Sequence, residues 1–499
     1  LIDTDSLRGK NTKRLSGLLQ ELPAYEILGA TDCEISGIVY DSRRASPSSL
    51  FVAISGFHHN GMEFISDAVS RGVVAVVTEK RVDGFENITQ IIVPNAREAL
   101  AHLAWASVDH PEKRLRLCGV TGTNGKTTIT HLLRAMLEEA GEKTGLIGTL
   151  TYEFGDEIRP ASRTTPEAPD LADLFRSMAD GGATNCVMEV TSHALALHRV
   201  TGLSFSVAAF SNLSRDHLDL HGTLEEYGRA KALLFENLEA EATAVLNIDD
   251  SFGRELCNRT RARVLRCSLF KDADVRATKV VSSAAGLEID LDLPSGSWHL
   301  HSALIGQFNA SNILIAAACA HAIGLSETQV QGGLNRVRSV PGRMEIIQGA
   351  QPFTVIVDYA HTPDALANVL DTLRLLAPKR ILVLFGAGGD RDRGKRAEMG
   401  RVASEKADEI FLTSDNPRSE NPETIIDEIK VGILPSSACR RNADRRMAIQ
   451  QALQSAHSGE IVLIAGKGAE RTQEIGGVQY PLDDREVVRE ILREMGFEA

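Results

Sequence analysis

The stretch VTGTNGKTT, residues 120–128, restricts this chain more than any other. It follows the apolar run RLRLCGVTG and precedes a helical pattern from about 126 to 140, so it reads as strand, glycine-rich turn and helix. Glycines at 122 and 125 let the backbone curl so that successive N–H groups face inward, at a helix N-terminus that already favours an anion. The pattern predicts a phosphate cradle of Gly122, Thr123, Asn124, Gly125, Lys126, Thr127 and Thr128. The Lys126 ammonium would reach the terminal phosphates of a bound ligand, and the Thr127 hydroxyl suits Mg2+. Val120 stands where G-x-x-x-x-G-K-[ST] has its first glycine, and a glycine-rich turn with a solvated lysine is the plain alternative.

The strand–loop–helix reading extends along the chain. From about 35 to 108, β-branched runs (ISGIVY, SLFVAI, GVVAVVTE, ITQIIVP) precede a helical AREALAHLAWASV, and the polar DHPEKR at 109–114 reads as a linker. Strands at 184–190, 204–212 and 242–248 then alternate with helices. Between about 263 and 305 short hairpin-like pieces suggest an antiparallel edge or flap, closed by an Ala-rich helix at 309–323. After RVRSVPGR, strands FTVIVDY, RILVLFG, EIFLTS and EIVLIAG alternate with helices at 363–376, 395–407 and 422–433. The expected fold is α/β with three domains. These are an N-terminal α/β domain over 1–108, a central P-loop ATPase domain of mostly parallel sheet over 109–338, and a doubly wound, Rossmann-like domain over 339–499.

Charge and cysteine usage exclude several classes. Lys and Arg number 54 against 67 Asp and Glu, a net charge of −13, which is unsuited to neutralising a nucleic-acid backbone. The seven cysteines contain no C-x-x-C pair, so neither zinc nor a disulfide framework is expected. No run approaches 18 apolar residues and the opening LIDTDSLRGKNTKRL has no apolar signal core, so no membrane insertion and a cytoplasmic location are expected.

Glu189, at the end of the strand CVMEV, suits a divalent cation, although an ion-pairing or capping role is the plain alternative. His217, Asp219 and His221 lack zinc-like spacing, and His217 would be an unusual ligand for Mg2+. GAGGDRDRGK, 386–395, is too charged for a dinucleotide fingerprint and suggests a polar substrate or an interdomain contact.

The motifs TGTNGKTT, TTPEAPDL, MEVTSH, NLSRDHLDLHGT with YGRAK, IGQFNASNILIA, GRME, VDYAHTPDAL, FGAGGDRDRGKR, DNPRSENP and GKGAE occur in this chain in the order found in Mur ligases. The chain resembles that family over about residues 36–490. The resemblance implies a monomeric enzyme that uses ATP and Mg2+ to join meso-2,6-diaminopimelate to UDP-N-acetylmuramoyl-L-alanyl-D-glutamate through an acyl-phosphate. By position, Tyr40, Ser42, Phe57, His58 and His59 would face the uridine diphosphate, and Thr164, Thr165, Thr191 and Arg199 the rest of that substrate. Asn309, Asn312, Arg343 and Asp358 would surround the adenosine. Thr127, Glu189, His217 and Lys231 would hold Mg2+, with Lys231 carbamylated to present oxygen, and Lys126, Lys231 and His217 would be catalytic.

Diaminopimelate would meet Arg391, Asp415, Asn416, Pro417, Arg418, Gly466 and Glu470. In that pocket the Arg418 guanidinium suits the distal carboxylate, and a lysine substrate is expected to leave Arg418 without a partner. The chain departs from the family pattern at Ala469, in place of His, at Leu197, in place of Gln, and at Thr191, in place of Ser.

Overall fold

A computed structural model describes residues 12–56, 60–283 and 285–497. The chain divides into two compact units, Leu1–Gly119 with Glu142–Ser206, and Val120–Gly141 with Val207–Ala499.

In the first unit, five strands stand in the order Glu26–Leu28, Thr89–Ile92, Ala75–Thr78, Ser49–Val52 and Gly37–Val39. The first pairing is antiparallel and the rest are parallel. Side chains alternate between two cores: Leu50, Val52 and Val77 pack under the helix Ala96–Ser107, while Phe51, Ala53 and Val76 pack with Ile65 and Ala68. Burial on both faces explains why these strands read as unbroken apolar runs. In the same unit Thr144–Ile147 pairs parallel with Asn185–Glu189 and antiparallel with Thr151–Phe154. Thr151–Phe154 in turn forms a hairpin with Glu157–Pro160.

The second unit carries the helix Lys126–Glu139 and the strands Thr243–Asn247 and Arg263–Ser268, which pair parallel. Strand Phe205–Phe210 enters this unit at Val207 and pairs parallel with Thr243–Asn247. In the region expected to hold hairpin-like pieces, Arg263–Ser268 is parallel to its neighbours, and Val275–Ser283, Gly286–Leu293 and Gly296–Ser302 form successive antiparallel pairs. The Ala-rich helix spans Gln307–Ile323, apolar nearly all round because it is enclosed, and Gly324 ends it in the left-handed conformation.

Six further strands of this unit stand in the order Glu345–Ile347, Thr354–Asp358, Ile461–Ala465, Ile381–Phe385, Glu409–Leu412 and Ala438–Arg441. All but the first pairing are parallel. Helices Pro363–Leu375, Gly394–Lys406 and Pro422–Lys430 bury Leu366, Leu370, Met399 and Ile426 on one face. Arg445–Gln454 and Asp484–Glu494 bury Ile449, Leu453, Val488 and Ile491 on the other. This is the expected doubly wound arrangement, and its carboxyl-end loops carry the VDYAHTP, FGAGGD, SDNPR and GKGAE segments.

Candidate functional site

The phosphate loop is curled by its own unit. The N–H of Thr123 donates to the Asn212 carbonyl at 2.8 Å, and that of Asn124 to the Asn212 side-chain oxygen at 3.0 Å. The Ser211 hydroxyl and Asn212 Nδ2 both donate back to the Asn124 carbonyl. Gly125 has φ +90°, and a Cβ there would meet Asn312 Oδ1 at 2.3 Å, so only glycine fits. Lys126 Nζ donates to the carbonyls of Gly122 and Thr123, each at 2.9 Å.

Beside this loop lies a cleft of about 270 Å³, lined among others by Asn124, Gly125, Thr127, Thr128, Asn312, Arg343, Asp358 and Tyr359. Arg343 donates to the Thr127 hydroxyl at 3.1 Å and stacks 4.3 Å over the Tyr359 ring. Asp358 accepts from the N–H groups of Met344 and Ala360, and its burial pushes the carboxyl up against the opposing pull of Arg343. Of the four residues expected around adenosine, three line the cleft. Asn309 stands behind them and accepts from Asn312 Nδ2 at 3.0 Å.

Lys231 is fully buried in the helix Leu224–Glu236. Its Nζ donates to the Gly122 carbonyl at 2.8 Å and lies 4.3 Å over the Tyr227 ring. Burial, reinforced by the Lys126 charge, pushes its ammonium well below the usual lysine range. Tyr227, absent from the sequence candidates, is a hub: its ring packs on those of His217 and His221, and its hydroxyl accepts from Thr123. Asp216 is a second omission. It is buried and faces Lys395 at 3.3 Å, His361 at 3.4 Å and His217 at 3.3 Å.

In the first unit, Glu189 is buried and accepts from the Thr149 N–H at 2.8 Å and hydroxyl at 3.0 Å. Thr165 donates to the Glu189 carbonyl and lies 3.3 Å from the Thr191 hydroxyl, and Thr164 is 3.1 Å from the Thr149 hydroxyl. Arg199 donates to the Thr165 carbonyl and pairs with Glu167 at 2.9 Å, a carboxylate shared with Arg97 and Arg163. Three guanidiniums around one buried carboxylate leave positive charge in excess; of these four residues only Arg199 was expected. Leu197, in place of the usual Gln, caps the short helix Ser192–Ala196 with its backbone. Tyr40 donates to Asp170 at 2.7 Å, and burial beside that carboxylate pushes the phenol up. Ser42 is buried, while Phe57, His58 and His59 lie outside the described residues.

The DNPR segment is clasped by the loop after strand Ile461–Ala465 and by the hairpin Thr472–Ile475 with Val478–Pro481. Lys467, fully buried, donates to Asn416 Oδ1, Glu470 Oε2 and the Thr472 carbonyl. Asn416 also donates to Glu470 at 2.9 Å, and a Cβ on Gly466 would stand 2.7 Å from Asp415 Oδ2. Arg418, after Pro417, has φ +52°. This left-handed conformation is held by its N–H donating to Glu474 O at 3.0 Å and by the Gly476 N–H donating to its carbonyl at 2.7 Å. Asp415, Asn416, Pro417, Arg418, Gly466 and Glu470 therefore come together as expected. Arg391 pairs with Asp219 at 3.5 Å instead of with any of them.

One expectation is corrected. Arg418 is not left without a partner when no distal carboxylate is present: it donates to Gly389 O at 2.6 Å and lies 3.3 Å from the Glu474 carboxylate. Beneath the pocket Arg445 and Asp484, both fully buried, pair at 2.6 Å, and Arg445 donates to the carbonyls of Ser414 and Ala465.

Among the described residues no three His, Cys, Asp or Glu side chains gather as a metal cage. Mg2+ does not require one, since it takes one or two protein oxygens and completes its shell with phosphate and water. The Glu189 carboxylate and the Thr127 hydroxyl have that oxygen-donor character. Among the described residues no helix is long and apolar enough to cross a membrane.

Three family descriptions match consecutive parts of the chain: "Mur ligase family, catalytic domain" over residues 34–107, "Mur ligase middle domain" over 120–320, and "Mur ligase, glutamate ligase domain" over 342–468. The UDP-N-acetylmuramoyl-L-alanyl-D-glutamate–2,6-diaminopimelate ligase of Solibacter usitatus is 44% identical over 467 residues, covering 93% of this chain and 94% of its own. A solved structure of a ligase of that name is 32% identical with a TM-score of 0.67, covering 97% of this chain and 100% of its own. The MurF ligase of Thermotoga maritima in complex with ADP shares the fold at 17% identity and a TM-score of 0.63, covering 92% and 97%. A phosphate loop beside an Asn/Arg/Asp cleft, a DNPR pocket at the carboxyl end of a doubly wound sheet, and likeness over nearly the whole length agree: the chain belongs to the Mur ligase family of acid–amino-acid ligases.

Proposed function

We propose that this chain joins meso-2,6-diaminopimelate to UDP-N-acetylmuramoyl-L-alanyl-D-glutamate in the cytoplasm, as a monomer, at the expense of ATP. Residues 1–108 would bind the UDP-sugar, 109–338 the nucleotide and 339–499 the amino acid. The observation that carries this reading is one compact unit holding both the phosphate loop with its cleft and the DNPR pocket. The D-glutamyl carboxylate oxygen attacks the γ-phosphorus of ATP, and ADP leaves with the electrons of the broken P–O bond. The amine of diaminopimelate then attacks the acyl carbon, phosphate leaves, and the amine gives up its proton.

Three anions must approach one another, so neutralising charge is the main catalytic task. Lys126 and the N–H groups at the start of the helix Lys126–Glu139 would supply this charge, and Asn312, Arg343 and Asp358, which line the cleft, would face adenosine. Thr127, Glu189, His217 and Lys231 would hold Mg2+, which when bound neutralises phosphate charge. Lys231 suits that role only as a carbamate, formed when its neutral amine adds to carbon dioxide and releases a proton. Its burial and its lowered proton affinity support this. Asp415 and Glu470 would take an ammonium, and Arg418 the distal carboxylate.

The test is phosphate release from ATP with an amino-acid panel at fixed UDP-substrate. Release that requires both the UDP-muramoyl dipeptide and diaminopimelate is expected. Release without either would mark a nucleotide hydrolase that is not a ligase.

A further inference from the structure

The Arg418 guanidinium has a carboxylate neighbour inside its own chain. Glu474, third residue of the strand Thr472–Ile475, is fixed on both sides of its backbone to the DNPR segment: its N–H donates to Asn416 Oδ1, and its carbonyl accepts from the Arg418 N–H, each at 3.0 Å. Its Oε2 lies 3.3 Å from Arg418 Nε, and both side chains are partly exposed, 30% and 23%. Arg418 Nη1 is spent on the Gly389 carbonyl at 2.6 Å. A carboxylate gripped at two points through the Nε edge would have to take the place of Glu474.

We propose that Glu474 is a specificity-determining residue: an internal carboxylate that holds Arg418 until the distal carboxylate of the substrate displaces it. The inference rests on the reading of this pocket as the diaminopimelate site. Its consequence is that the site gives up selectivity. Without Glu474, a lysine substrate would strand a partly buried cation. With Glu474, Arg418 stays paired when lysine binds, and diaminopimelate must compete with a carboxylate already in place.

The experiment compares wild type with Glu474→Gln, Glu474→Asp and Arg418→Ala, measuring KM and kcat for diaminopimelate and for lysine, with the KM for ATP alongside. Exposed pairs of this kind are worth about 0.2–1 kcal/mol. Glu474→Gln should therefore lower the KM for diaminopimelate by about 1.5- to 5-fold and raise the preference over lysine by at least as much, leaving the KM for ATP unchanged. Glu474→Asp, one methylene shorter, should fall between wild type and Glu474→Gln. A rise in the diaminopimelate KM, or no change in preference, would overturn the proposal, because a merely structural Glu474 would weaken the site and one contacting the substrate ammonium would weaken both amino acids. If Arg418→Ala raises the diaminopimelate KM while Glu474→Gln does not lower it, the role of Glu474 falls and the pocket reading stands. If Arg418→Ala leaves that KM unchanged, both fall.

Discussion

Lys231 Nζ donates to the carbonyl of Gly122 at 2.8 Å across a sequence separation of 109 residues, so a buried amine is tied to the first glycine of the phosphate loop. No carboxylate ion-pairs with it among the described residues, and the aromatic face of Tyr227 lies 4.3 Å away. Burial and the Lys126 charge destabilise the lysine as a cation against the weaker pull of the Asp216 carboxylate, and conversion to an anionic carbamate would turn its repulsion from Lys126 into attraction.

Lys231→Ala is accordingly expected to be folded and inactive, and short carboxylates added to the assay should restore part of the activity by refilling the oxygen position. Carbon-13 bicarbonate should give a carbamate resonance in the wild type that the variant lacks. Activity of the variant equal to wild type would remove the carbamate.

Lys126→Ala should lower kcat/KM by roughly 10²–10³-fold, the scale of losing one preorganised charge-stabilising group. Thermal unfolding should be little changed, since the two carbonyls it contacts lie in its own loop. Near-normal turnover at saturating ATP would refute the phosphate-loop assignment.

Arg445→Met should cost about 3–5 kcal/mol of stability, because it leaves the Asp484 carboxylate buried without its partner. The double variant Arg445→Met/Asp484→Leu should recover much of that in denaturant titration. It should still show a raised KM for diaminopimelate, because the Ser414 and Ala465 carbonyls, one residue before Asp415 and Gly466, have lost their donor. A double variant with normal KM would make the pair purely structural.

Glu420 gives a pH dependence with a definite sign. Hydrogen bonds from Arg396, at 2.8 and 2.9 Å, hold its carboxyl at about 2, below its ordinary 4.5. As pH falls the unfolded chain takes up this proton before the folded chain does, so the stabilisation is complete above about 4.5, shrinks between 4.5 and 2, and is gone below. The stability gap between wild type and Glu420→Gln, followed by denaturant titration, should close over that window. A gap independent of pH would refute the linkage.

What could be read from the chain in advance was local. The glycines of TGTNGK, the two-sided apolar runs of the parallel strands and the helix after the phosphate loop follow from short-range rules of backbone sterics and periodicity. The family motifs likewise brought Asn312, Arg343 and Asp358 to one cleft and Asp415, Asn416, Arg418 and Glu470 to one pocket. Ala438–Arg441 was missed because it is an edge strand, largely solvent-facing, and needs no apolar alternation.

The sequence by itself determined where the buried parallel strands and the phosphate loop with its helix stand, because those choices are settled within a few residues of backbone. Only the tertiary structure decided which charges meet: Arg445 with Asp484, Asp216 with Lys395 and His361, Arg418 with Glu474. The physical reason is that the strength and partner of a charge depend on burial, and burial is fixed only when distant loops return to the same end of a sheet.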